Sequence, residues 1–436
     1  MQQTLTDTIL SISYLLIWVL TFCWYHLKVK EIDAGSFIIF MYIIYAIFSV
    51  LTINDPLFSR GFEQLKLFPY IYIYVMMIIA LSPIINFHFH HADIIKEENS
   101  KILNILAYII ITSAILTIPS VMTQASNGIL NLFVEETAGK DAYMDQIDKA
   151  QDSGSTIRNL PAVIFNSLAD IRVFLFYYFL TTKQKRKKFI IIGLAFSLCI
   201  GIIIPILYGQ RGGVVTGLLT IIGAYYLFKS YLSKRINKII QKTGIILVVT
   251  MSLPIAAITM SRFGQENAGV GGFVNWYVGQ GTLYFNNYGL NPGGTRNGDR
   301  TLNLFKRVID SSTPKNYFES RDKYHNLDLD DNLFSTFVGD FTIDFGPIMA
   351  VLIFCVAFYI LYRKTKICNR EIKLYQLLLL FFTVNISTQG GMTLFSYSDT
   401  DNIRIVVIIA LYAYLRYHEK LLERFPTIIQ NKDEHC

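Results

Sequence analysis

The stretch Tyr208-Gly209-Gln210-Arg211-Gly212-Gly213 sets a guanidinium among glycines between two apolar runs, each long enough to cross a bilayer. A charge at such a place is costly unless something anionic meets it. If a helix starts at Arg211, its unpaired N–H groups and dipole add to the guanidinium fork, and together they suit a phosphate or pyrophosphate. The alternative is an arginine that snorkels to the interface. Arg172, in Ala169-Asp170-Ile171-Arg172, falls inside another apolar run. It reads either as one half of an intramembrane Asp/Arg pair that locks helices or as a substrate cation reached through a cavity. Arg262 directly follows an apolar run, and Arg296 and Arg300 lie in Gly293-Gly-Thr-Arg-Asn-Gly-Asp-Arg300. These three are further phosphate or sugar contacts, or else interfacial and solvated side chains.

Acid–base chemistry has three candidates. His325 precedes the run Asp328, Asp330, Asp331, and a near-neutral imidazole beside carboxylates can take a proton from a sugar hydroxyl. Asp340 and Asp344 are four residues apart, on one face of a helix, where either could act as a base or cap a helix. Metal binding is not expected. The acidic run lacks the glycine and distal glutamate of a calcium loop, and His88-Phe-His-His91 matches a metal site only in composition.

The elements that must position these residues are membrane spans. Hydrophobic residues make up 53% of the 436-residue chain and charged residues only 16%, a balance that excludes an ordinary soluble domain. Apolar runs of the spanning length (about 17–25 residues) recur throughout. Eleven are read, at 8–25, 37–53, 68–87, 102–124, 160–182, 189–208, 211–228, 243–261, 345–362, 374–392 and 403–417, with ten to twelve compatible with the pattern. They form one all-α membrane domain over residues 1–436. The loops 183–188, 229–242 and 363–373 carry five Lys/Arg each and face the cytoplasm by the positive-inside rule. The acidic loop 125–159 and the long loop 262–344 then face outward, and an odd span count puts the N-terminus outside. Within the long loop, Phe273 to Phe285 has the aromatic content of a segment lying in the interface. The net charge of +7 belongs to short loops beside spans and is not a nucleic-acid footprint. The five cysteines imply no disulfide framework. No phosphate-binding loop or dinucleotide fingerprint appears, so no cofactor is expected.

The Gly209-Gln-Arg211-Gly start of a middle span, followed across a long outward loop by His325-Asn, Asp331-Asn-Leu-Phe and Asp344-Phe-Gly-Pro347, resembles the O-antigen (oligosaccharide repeat-unit) polymerases. The motifs cover roughly residues 200–350, and the number of spans and loop layout match along the chain. The resemblance implies a GT-C-like glycosyltransferase of the bacterial inner membrane with its active face in the periplasm. Its substrate would be an undecaprenyl-pyrophosphate-linked oligosaccharide, drawn from among the membrane lipids, with a chain-length regulator protein as a partner. Arg211 is the position that best matches the family's functional outward arginines, whereas Arg262 and His325 match by location. A flippase or transporter of lipid-linked oligosaccharide, an O-antigen ligase and a non-catalytic scaffold are the competing readings.

Overall fold

A computed structural model describes residues 2–90, 92, 94–96, 101–128, 160–182, 188–263, 269–315, 317–325, 327, 334–367, 370–394 and 399–424. Most of the acidic loop, the basic stretch 183–187 and Asp328, Asp330 and Asp331 lie outside these residues. The chain is an all-α polytopic membrane protein. Hydrocarbon offers the backbone no outside partner, so each apolar run closes its own N–H and C=O groups as a helix.

The long helices are α1 (Gln2–Val29), α2 (Ala34–Ile53), α3 (Leu67–His90) and α4 (Lys101–Gly128). A bent pair, α5 (Leu160–Ser167) and α6 (Ala169–Thr181), precedes α7 (Lys188–Leu207), α8 (Arg211–Phe228) and α9 (Lys234–Phe263). Then come α10 (Gly269–Tyr284), α11 (Asn303–Ile309), α12 (Tyr317–Lys323), α13 (Thr336–Phe345), α14 (Pro347–Thr365), α15 (Leu374–Gln389) and α16 (Asp399–Arg424). All eleven predicted intervals overlap helix, although 345–362 crosses Gly346 from α13 into α14 and 374–392 runs three residues past the end of α15. Among the described residues, eight helices are long and apolar enough to cross a membrane, or nine if the α5/α6 pair is one span. The interval 160–182 is not one rod, because it bends by 57° at Leu168. Pro83, Pro119, Pro205 and Pro254 lie inside helices, where the packed bundle tolerates the missing donor.

At one end of the bundle the basic segment before α15 meets the segment after α3 and the last turns of α16. Strand β1 (Ile94–Ile95) pairs in parallel with β2 (Glu371–Ile372), and Lys96 and Lys373 share Glu419 at 3.1 and 2.9 Å. At the same end His88 Nδ1 lies 3.3 Å from Asp33, the residue that caps α2 through the Ser36 N–H. At the opposite end Asn286 exchanges hydrogen bonds with the Lys66 backbone, 2.8 Å each way, and the Leu65 N–H donates to Asp7.

Helix α10 departs from the sequence expectation. It packs along α2 rather than lying on a surface, because Gly279 brings the two backbones together. A Cβ there would come within 2.4 Å of the Phe48 carbonyl, and Ser49 Oγ donates to the Gly279 carbonyl at 2.6 Å. The helix ends in a π turn, Phe285–Gly289, which turns Asn286 and Asn287 toward the segment before α3.

Candidate functional site

The candidate residues fall into separate groups, around Arg211, around Arg172 and around Arg300, with His325 apart from all three. Helix α7 stops at Leu207. The turn back into α8 needs the left-handed backbone of Gly209 (φ 61°), and the Gln210 N–H returns to the Pro205 carbonyl at 2.8 Å. Arg211 opens α8 and is 5% exposed. Its guanidinium lies 4.1 Å over the Tyr277 ring of α10, and Nη1 donates to Thr259 Oγ1 of α9 at 3.3 Å. The glycines after it serve packing within the chain. A Cβ on Gly212 would meet the Tyr277 hydroxyl at 2.8 Å, and one on Gly213 would meet Pro205 at 3.0 Å. Gln210, at the N-cap, makes no side-chain hydrogen bond that caps the first turn of α8.

Arg172 is 7% exposed on α6, one turn past the bend. Its guanidinium stacks on Phe165 at 4.1 Å, and Gly201 of α7 makes room for it, since a Cβ there would lie 2.5 Å from Nη2. Nε and Nη1 are buried with no hydrogen-bond partner. The expected pairing with Asp170 is not what holds either residue. Positions i and i+2 point to different faces of a helix, and the Asp170 carboxylate instead accepts from Asn385 Nδ2 of α15 at 2.9 Å. Thr220 Oγ1 and Asn385 Oδ1 are 2.8 Å apart, and Gln389 Nε2 donates to both. A polar ladder thus joins α6, α8 and α15, beside a cavity of about 40 Å³ that Asp401 and Arg404 also line.

Asp340 and Asp344 do share a face of α13, and both are fully buried. They converge on Arg300. Asp340 pairs with Arg300 Nε at 2.9 Å and accepts from the Thr393 hydroxyl and the Leu394 N–H (2.8 Å). Asp344 accepts the backbone N–H groups of Arg300 (3.3 Å) and Thr301 (2.6 Å), while Arg300 Nη2 donates to Thr393 at 3.0 Å. Burial pushes the Asp344 carboxyl up to about 6 against the lowering effect of these hydrogen bonds and of Arg300. Asp344 therefore caps a loop in three dimensions rather than the span that follows it.

The same loop encloses Asp299, which is 0% exposed and receives Lys323 (2.8 Å), the Tyr324 hydroxyl (2.5 Å) and Lys306. Burial raises this carboxyl, and the three donors outweigh it, leaving the group below the usual range. Arg296 is buried, 1% exposed, with its guanidinium 5.7 Å from the Tyr324 ring and its N–H on the Ile343 carbonyl. His325 is exposed on the turn after α12, its Nδ1 2.9 Å from the Asp322 carbonyl, and stands outside the buried cluster. Arg262 lies in the last turn of α9, and its side chain falls outside the described residues. Thr336, fully buried at the start of α13, adopts φ 67°. That backbone is strained for a β-branched residue and is held by its N–H on the Met392 carbonyl (2.7 Å).

Sequence reasoning missed Asp299, Thr393 and the Asn385/Gln389 pair. The last had a signal, two amides four residues apart in an apolar run, whereas Thr393 is brought in by a turn with no motif. No protein-family model, no curated protein and no solved structure matches this chain.

Proposed function

We propose that this chain is a polysaccharide polymerase of the bacterial inner membrane. In this reading it has eleven spans in a GT-C-like arrangement, its basic loops are cytoplasmic, and the Arg211 end is periplasmic. The observation that carries the reading is Arg211: a buried guanidinium at a helix N-terminus, held against Tyr277 where a membrane protein otherwise avoids charge. Transfer of a growing glycan from undecaprenyl pyrophosphate breaks the bond from the anomeric carbon to the pyrophosphate oxygen. The acceptor hydroxyl of the next lipid-linked unit forms the new glycosidic bond, its proton goes to a base, and negative charge builds on the leaving pyrophosphate. Fixed cations aimed at that charge supply the main stabilisation. Arg211 is the clamp, and Arg172 is the second cation, deeper in the bundle.

Arg300, Asp340 and Asp344 form the wall that holds the loop in place, because their charges are already engaged with one another. The base is then a group that meets the acceptor in the bound complex, with His325 at the exposed rim. The test is the purified protein in nanodiscs supplied with a lipid-linked repeat unit. A ladder of lipid-linked oligomers is expected. Translocation of the lipid without a ladder would make the protein a flippase, and transfer only to a second, different lipid would make it a ligase.

A further inference from the structure

Helix α11 wears its side chains inside out for a surface helix in water. Val308 and Ile309 are 83% and 90% exposed, and Leu302 and Phe305 are 42% exposed each. Leu302, Phe305 and Ile309 recur at the spacing of one helical stripe, with Val308 at its edge. The two basic residues of the helix are turned away into ion pairs, Lys306 with Asp299 and Arg307 with Asp399. Within Asn303–Ile309 the exposed edge is therefore apolar and the basic charges are spent on the protein; the exposed carboxylate of Asp310, at the C-cap, marks where that edge ends.

Its position says what covers this edge. The Leu304 N–H donates to Asn402 Oδ1 at 2.9 Å, and Asn402 Nδ2 donates to the Thr301 carbonyl at 2.8 Å. With the Arg307–Asp399 pair, these contacts dock α11 on the first turn of α16, which starts at Asp399. Further along α16, Val406 and Ile409 are exposed in turn, at 43% and 58%. The apolar edge of α11 thus lies at the start of a long helix that exposes apolar side chains of its own.

We infer that α11 lies in the plane of the bilayer surface with Leu302, Phe305, Val308 and Ile309 in the outer acyl region, tethering the loop of Arg296 and Arg300 to the membrane. Interfacial helices bind through such a stripe in proportion to the apolar area they bury. The loop is then fixed on two sides, by α13 through Asp340 and Asp344 and by lipid through α11. The inference needs only a membrane around the helices and stands apart from the glycosyl-transfer reading.

The test uses the full chain in liposomes with Cys23, Cys199, Cys355, Cys368 and Cys436 replaced by serine. Nitroxides are placed singly by Val308→Cys, Ile309→Cys, Ser311→Cys and Ile409→Cys, and collision with oxygen and with a water-soluble nickel chelate is measured. Positions 308 and 309 are expected to give the high oxygen-to-nickel ratio of position 409, and position 311 a low one. A low ratio at 308 and 309 would place the helix in water, and protection from both reagents would mean that protein covers it; either result overturns the inference. If the cysteine-free chain does not fold, Ile309→Trp in the native chain gives the same decision. Extra fluorescence quenched by brominated lipid supports the inference, and extra fluorescence quenched by aqueous iodide overturns it.

Discussion

Arg300 and Arg172 are equally hidden, at 5% and 7% exposure, yet their surroundings are opposite. Arg300 meets Asp340, Thr393 and, through its backbone, Asp344. Arg172 meets the face of Phe165 and the bare backbone of Gly201, with Nε and Nη1 unsatisfied. Burial alone therefore does not mark a ligand-binding arginine. What separates the two is whether the protein itself supplies the acceptors. On the function proposed above, a guanidinium whose donors are used is framework, and one whose donors are left over is available to an anion of the substrate.

The widest break in this contrast comes from Asp340→Ala. It would leave Arg300 charged and buried without its partner, a loss of about 3–5 kcal/mol. Thermal unfolding in detergent should show it, and Arg300→Met added to Asp340→Ala should recover part of the loss. A single variant as stable as wild type would mean that the pair is not framework.

Asp344 gives the next effect, read through pH. Its folded form keeps a proton up to about pH 6, whereas an unfolded carboxyl releases it near about 4. Between those values the folded state binds more protons, so the contribution of this group is fullest at low pH and is lost as pH rises through 6. The stability advantage of wild type over Asp344→Asn should shrink by about 2–3 kcal/mol from pH 4 to pH 7. An advantage that stays constant or grows would place Asp344 in a different electrostatic setting.

Arg172→Leu should act in the reverse direction on stability. Removing orphaned donors relieves a penalty, so the unfolding free energy should hold or rise by about 1 kcal/mol while polymer formation falls. A clear loss of stability with activity retained would make Arg172 framework as well, and the contrast with Arg300 would collapse.

How legible all this is in the sequence varies with the range of the interactions. Helices show up because hydrocarbon forces apolar runs into one structure, and all eleven intervals overlap helix, although only eight or nine helices among the described residues are long and apolar enough to span. The bend at Leu168 does not show, since neither proline nor glycine marks it. Arg211 stands out as a charge among apolar neighbours. The partners of Arg300 do not, because Asp340, Asp344 and Thr393 reach it from two further segments of the chain. Asp170 and Arg172 look paired when read along the chain and part when helical phase is applied. The aromatic content of α10 suggests an interface, while Gly279, the residue that docks it on α2, carries no hydrophobic signal.

The most direct test is Arg211→Ala, compared at equal expression with wild type in the nanodisc assay with the lipid-linked repeat unit. Loss of the oligomer ladder, with unfolding temperature close to wild type and lipid-linked unit left unconsumed, is the expected result. A full-length ladder from Arg211→Ala would remove this guanidinium from the chemistry and with it the central claim.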